Sequence, residues 1–292
     1  MILLLGGSGY IGSAFQKHLT GLRIPFLSIA RADIDYYDKS QLAQLIKNSN
    51  AQFLINAAGY TGKPNVDACE NNKTDTLLGN AILPGIIREV CEDQKLPWGH
   101  VSSGCIYTGR RADNNGFTEI DTPNFSFRTN NCSFYSGTKA LGEEILAGAE
   151  NCYVWRLRIP FNHTDTPRNY LSKLLNYSYL LEAENSISHL DEFVTSCLTL
   201  YERKLPYGIY NLTNPGAVTT KQVVNLIKQH LAPERSFKFF ENEEAFMQIA
   251  AKTPRSNCVL DTSKPENVGI HMTPVEEAII SCLKNWTCTK PK

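Results

Sequence analysis

Four apolar runs punctuate the first half of the chain, each ending in small or polar residues and each followed by a stretch of different character. Ile2–Leu5 has no polar position, the pattern of a strand covered on both faces. A helical pattern over 13–19 follows it. Ile24–Ile29 is a second strand candidate and Gln52–Gly59 a third, closing on Asn-Ala-Ala-Gly. Helical periodicity then runs from about Lys73 to Asp93, and His100–Tyr107 reads as a fourth strand carrying Ser102 and Ser103. Short buried strands alternating with helices predict the α/β class, with a parallel, doubly wound sheet. Thr108–Cys132 is rich in Asn, Thr and Pro with weak periodicity, and a loop that long in a compact fold is usually functional.

Composition narrows the function classes. The chain has 292 residues and 32.7 kDa, 42% of them apolar and 20% charged, which excludes a disordered or fibrous chain. Lys and Arg number 29 and so do Asp and Glu, so the formal net charge of zero argues against nucleic acid or a membrane surface as partner. The apolar start lacks a basic flank and is too short for a signal peptide or a membrane span. Nine cysteines without CxxC or zinc-type spacing predict free thiols, a cytoplasmic location and no metal.

Gly6, Gly9 and Gly12 stand between the first strand and the first helix, a GxxGxxG spacing. Glycine is needed there because the turn is tight and a pyrophosphate must approach the backbone, with N–H groups and a positive dipole end supplied by the helix start at Tyr10 and Ile11. A Rossmann-type dinucleotide site is therefore expected. Small residues at the end of the third strand, Asn56, Ala57 and Ala58, suit the same close approach. Where the second strand ends, an acid would read a ribose hydroxyl and an Arg a 2′-phosphate; Arg31 lies nearest, so NADPH is expected over NADH, with Asp33 or Asp35 as the competing readers.

Tyr135 and Lys139 form a YxxxK pair on one helix face, so phenol and ammonium can converge, and a neighbouring ammonium would lower the phenol pKa. Taken in order with GxxGxxG, Asn-Ala-Ala-Gly and the Ser-Ser strand end, this resembles the extended short-chain dehydrogenase/reductase family. The resemblance implies Tyr135 as proton donor, Lys139 as its partner and ribose ligand, and Ser103 as the hydroxyl that orients a carbonyl.

Segments 208–216 and 254–261 resemble the dTDP-4-dehydrorhamnose reductase branch. The bacterial reductases usually continue after the two serines with Asp and Tyr, where this chain has Gly104-Cys105. That pair, and segments 56–67, 121–125 and 167–173, are closer to the plant-type UDP-4-keto-6-deoxyglucose 3,5-epimerase/4-reductase that makes UDP-L-rhamnose. This resemblance implies Cys105 and Lys173 in the epimerase role, substrate contacts from Ser103, Cys105, Asn169 and Lys173, and a UDP-sugar substrate. The plant proteins often carry a 4,6-dehydratase domain ahead of this module, and because this chain starts at its own first strand a separate dehydratase is expected. A thiol near an ammonium titrates towards neutrality and a desolvated Lys can act as base, which leaves open which of the two removes the proton. The diphosphate calls for a cation from a smaller C-terminal substrate lobe; Arg255 is the first candidate, before Arg168 and Lys63. The expected division is 1–160 for the cofactor lobe and 161–292 for the substrate lobe, with the chain free to cross back; a homodimer stays open. Two rivals remain: a reductase without epimerase activity, and a non-catalytic NADP-binding regulatory subunit.

Overall fold

The computed structural model describes residues 1–288; the last four residues of the expected substrate lobe, 289–292, lie outside the described residues. Six strands pair in parallel throughout: β1 (Ile2–Leu5), β2 (Phe26–Ile29), β3 (Phe53–Asn56), β4 (Trp98–Ser103), β5 (Cys152–Leu157) and, far along the chain, β8 (Gly208–Asn211). Their order is β2-β1-β3-β4-β5-β8, which reverses direction between β1 and β3. Ligands of such sheets bind outside the carboxyl ends at that reversal. Two small sheets lie apart, β6 (Thr164–Asp165) with β10 (Thr287–Cys288) and β7 (Glu184–Asn185) with β9 (Val218–Thr219).

Helices α1 (Tyr10–Gly21), α2 (Lys39–Ser49), α3 (Ala68–Asn71), α4 (Lys73–Leu77), α5 (Leu83–Asp93) and α6 (Phe134–Ile145) accompany the first five strands. Beyond them come α7 (Tyr170–Asn176), α8 (Leu190–Glu202), α9 (Thr220–His230), α10 (Glu243–Ile249), α11 (Ser263–Asn267) and α12 (Val275–Lys284). One apolar cluster joins Leu4, Phe15, Phe53, Trp155 and Phe193 on one face of the sheet, and a second joins Leu3, Leu54, Ile87, Trp98 and Val154 on the other. The smaller C-terminal lobe has its own core around Phe161, Leu174, Val223 and Ile279. The expected α/β class and Rossmann-type doubly wound parallel sheet are what the chain adopts. β8 and α8 both belong to the larger layer, so the chain crosses back after residue 160.

Three local differences from the sequence reading have physical causes. The helical stretch expected from 73 to 93 is interrupted by one π-helical segment, Leu78–Ile82, where Gly79 lets the backbone of Tyr60 approach, and Pro84 lies in the first turn of the next helix. The fourth strand stops at Ser103 because the Ser103 hydroxyl accepts the Cys105 N–H at 3.2 Å and caps a 3₁₀ turn over Gly104–Ile106. The loop 108–132 is pinned by parallel bridges, Gly109 to Cys258 and Phe117 to Leu260, so a late segment of the chain walls this side of the sheet.

Candidate active site

The glycine turn has the geometry that the spacing requires. Gly6 is left-handed at φ 77°, and a Cβ there would lie 2.5 Å from the Ala58 nitrogen, so the turns after β1 and β3 touch. A Cβ on Gly12 would run into the Gly6 carbonyl and stand 2.7 Å from Gly7 Cα. A Cβ on Gly9 would meet only the Gly6 oxygen, leaving the N-cap of α1 open to an anion. This cradle fits a dinucleotide pyrophosphate. Tyr10 and Ile11 pack their side chains against the main core, so what they can offer is backbone N–H. Asn56 is fully buried: its amide nitrogen pairs with His100 Nδ1 at 3.0 Å and its Oδ1 accepts the Ala58 N–H, so its side chain shapes the turn and leaves the approach itself to Ala57 and Ala58. At the end of β2, Asp33 accepts the Ala30 N–H at 2.7 Å and Asp35 the Tyr37 N–H at 3.0 Å, while Arg31 is exposed.

Helix α6 presents Tyr135 and Lys139. Ser133 caps it by accepting the Ser136 N–H, and Glu70 accepts the Phe134 N–H at 2.8 Å, so Tyr135 enters in the first turn. Buried Asn80, on the π segment, holds the Tyr60 backbone at both N–H and carbonyl and donates to Thr138 on α6. Lys139 is buried; its Nζ donates to the Val101 carbonyl at 3.4 Å and lies 3.5 Å from where a Cβ on Gly59 would stand. Burial lowers its pKa, with Cys105 and Glu143 opposing. Burial raises the Tyr135 phenol well above its ordinary range, with Cys105 and Cys69 adding to this and the Ser103 hydroxyl and Arg158 opposing. The expected lowering by Lys139 is therefore corrected: desolvation dominates, Arg158 is the cation that opposes it, and the phenol is held in its protonated form. That is the state a proton donor needs.

Cys105 shares this site. Burial pushes its thiol up, against Ser103, Ser136, Arg158 and Lys139, so the expectation of a thiol titrating near neutrality is corrected as well. Lys173 is on α7, where burial and then the Arg168 charge lower its pKa. Asn169 is the N-cap of α7, fully buried, accepting the Leu171 N–H and donating to the Asn162 and Thr164 carbonyls at 2.8 Å. Its amide is spent inside the protein, so it positions Lys173 and has no free group for substrate. Arg255 is already paired: its two terminal guanidinium nitrogens donate to Asp67 at 2.7 and 2.8 Å and, against the cost of burial, hold that carboxyl below its usual range. Arg168 donates to the Gly62 carbonyl at 3.1 Å. The structure thus brings Ser103, Cys105, Tyr135 and Lys139 together and places Lys173 and Arg255 on other elements.

Sequence reasoning missed four residues that build this site: Glu70, Asn80, His100 and Arg158. None belongs to a local motif, and each acts on a residue distant in the chain. His100 is held neutral, its pKa driven well below the ordinary value by burial and then by Lys139.

A glycine cradle lies at the sheet reversal, with Ser103 at the end of β4 and Tyr135 and Lys139 on α6 beside it. The chain belongs to the family described as the RmlD substrate binding domain, which it matches over residues 1–288. It is 32% identical over 283 residues to the bifunctional dTDP-4-dehydrorhamnose 3,5-epimerase/dTDP-4-dehydrorhamnose reductase of Arabidopsis thaliana, covering 95% of this chain and 90% of that one. It is also 32% identical to a trifunctional UDP-glucose 4,6-dehydratase/UDP-4-keto-6-deoxy-D-glucose 3,5-epimerase/UDP-4-keto-L-rhamnose-reductase of the same plant, again over 95% of this chain but 41% of that protein. The chain therefore spans about two fifths of that trifunctional relative. Among solved structures, the L780 UDP-rhamnose synthase of Acanthamoeba polyphaga mimivirus superposes with a TM-score of 0.89 at 24% identity, covering 97% of this chain and 98% of the other. A dTDP-4-dehydrorhamnose reductase from Bacillus anthracis in complex with NADP shares the fold at a TM-score of 0.78 and 16% identity, covering 98% of this chain and 96% of that one. No helix among the described residues is long and apolar enough to cross a membrane.

Proposed function

We propose that this protein is a bifunctional 3,5-epimerase/4-reductase that converts UDP-4-keto-6-deoxy-D-glucose to UDP-L-rhamnose with NADPH. The observation that carries this reading is the placement of Cys105 beside Ser103, Tyr135 and Lys139, so that an epimerase group and a reductase set share one carbonyl. A C4 ketone acidifies the hydrogens at C3 and C5. Burial favours the neutral amine at Lys173 and the neutral thiol at Cys105, which suits Lys173 to remove a proton and Cys105 to return one from the opposite face. Ser103 orients the ketone, and Tyr135 delivers a proton to O4. The reduced nicotinamide, when bound, supplies the hydride to C4. Lys139 lies at the Gly59 turn, where it can meet a ribose hydroxyl. Arg31, exposed after β2, would pair with a 2′-phosphate, and the neighbouring Asp33 and Asp35 each already accept a backbone N–H. The enzyme works in the cytoplasm, and a 4,6-dehydration of a UDP-sugar must supply its substrate.

The test is one reaction in D₂O. Protein, UDP-4-keto-6-deoxyglucose and NADPH are combined and the product is read by NMR. UDP-rhamnose carrying deuterium at C3 and C5 is the expected result, and Cys105→Ser or Lys173→Ala should remove that deuterium. Cofactor oxidation without deuterium would leave a simple reductase. Absence of turnover would leave a cofactor-binding protein without catalysis.

A further inference from the structure

Two arginines lie two residues apart at the carboxyl end of β5, and the protein treats them differently. Arg156 is neutralised by Glu143 at 2.7 Å. Arg158 is 3% exposed, yet no carboxylate pairs with it among the described residues. Its guanidinium donates only to uncharged oxygens: Ser256 Oγ at 2.7 Å, the Ser256 carbonyl at 3.0 Å, and the Asn185 side-chain oxygen. Its Nε–H is buried with no hydrogen-bond partner. A buried cation without a counter-ion is costly, and a well-packed apolar side chain could fill the same space at less cost. The fold also makes room for it. A Cβ on Gly104 would stand 2.8 Å from Arg158 Cδ, 2.9 Å from its Cγ and 2.6 Å from Leu260 Cδ1, so the residue before Cys105 must be glycine for the Arg158 stem to pass.

We propose that Arg158 is a positioning residue of the reaction centre, a positive charge left uncompensated so that negative charge developing around Cys105, Tyr135 and the substrate O4 is stabilised. It rests on the proposed ketone chemistry, in which an enolate and then an alkoxide place that charge on O4. A fixed cation in a dry site, already oriented before the reaction, is effective in such a role. The groups facing the centre are consistent with it. Cys105 has Arg158 and Lys139 as its cations, with Ser103 and Ser136 as hydroxyl partners. Its remaining titratable neighbours are Tyr135, Cys69, Cys132 and Cys258. Arg158 pulls the Tyr135, Cys105 and Cys258 pKa values down.

The test follows the full chain without substrate and then with it. Alkylation of Cys105 by iodoacetamide is mapped by peptide mass across pH, with exposed Cys288 as the internal reference. Arg158→Gln should move the Cys105 midpoint to higher pH, and Arg158→Lys, which keeps the charge, should bring it back. Ser256→Ala, which removes a neutral contact only, should leave the midpoint in place. In turnover, Arg158→Gln should lower kcat by about 100-fold with KM little changed, the loss expected for one such stabilising group. An Arg158→Gln midpoint equal to wild type overturns the inference, as does a rise in overall Cys105 reactivity without a shift. If Arg158→Gln does not fold, a shifted midpoint in Arg158→Lys overturns it as well. Failure of the wild type to turn over the sugar would refute the proposed function, while the alkylation midpoint would still decide the role of Arg158.

Discussion

Replacing Glu143 with Gln should cost about 3–5 kcal/mol of folding stability, the range for breaking a buried ion pair from one side. The side chains of Glu143 and Arg156 are 6% and 2% exposed. The carboxylate accepts Arg156 Nε at 3.1 Å and Nη2 at 2.7 Å, and also the Ser102 hydroxyl at 2.6 Å. Three elements meet there: Ser102 on β4, Glu143 on α6 and Arg156 on β5. Gln is isosteric, so little of the loss would come from a cavity; it would come from a guanidinium left buried opposite a neutral amide. Against a total stability of about 5–15 kcal/mol this is a large fraction. Urea unfolding at pH 7.5, followed by circular dichroism, would show it as a lowered midpoint at unchanged slope. Glu143→Met combined with Arg156→Met should lose much less than either change alone, because no charge is then stranded. A Glu143→Gln loss under about 1 kcal/mol, or a double variant as damaged as the sum of its singles, would refute the reasoning.

Three other outcomes are expected. Gly12→Ala places a methyl against the Gly6 carbonyl, so NADPH affinity measured by fluorescence should fall more than tenfold, about 1.4 kcal/mol or above. Arg31→Ala should weaken NADPH about tenfold while leaving NADH nearly unchanged, since one charge-assisted phosphate contact is lost; equal effects on both would remove Arg31 from that role. His100 and His189 both have folded pKa values below the ordinary one, burial being the first cause in each case. The unfolded chain therefore takes up protons that the folded one refuses, and stability present above about pH 6.5 should fall as pH drops below it. Urea midpoints at pH 7.5 and 5 would check this, and His100→Gln should flatten the dependence.

The fold was legible because its strands are short, apolar and separated by glycine-marked turns, and because GxxGxxG and YxxxK are contiguous motifs whose spacing constrains geometry. Boundaries slipped where hydrogen bonds across the chain decide them, as at Ser103, where a side chain ends the strand, and at Leu78–Ile82, where packing against Tyr60 reshapes a helix. Charged residues proved hardest to place. Arg255 looks like a free phosphate ligand in the sequence, and only folding shows that Asp67, far away in the chain, already holds it. Arg158 is the reverse case: a residue without a motif whose meaning lies in the acid that is missing beside it. Asn169 reads as a substrate contact in the sequence, but its amide faces inwards because it caps α7 and closes that helix's first turn.

The return of the chain to the large sheet through α8 and β8 also bears on how this protein could be recombined with its relatives. A single crossover near residue 160 would split the layer, taking an edge strand from one parent and its neighbour β5 from another. A working chimera must exchange two separate stretches of the C-terminal half while keeping 190–211 with the first half. It must also carry Asp67 and Arg255, and Gly104 and Arg158, as matched pairs. The inheritance of specificity in this architecture is thus by patchwork, in blocks set by contact and not by order along the gene.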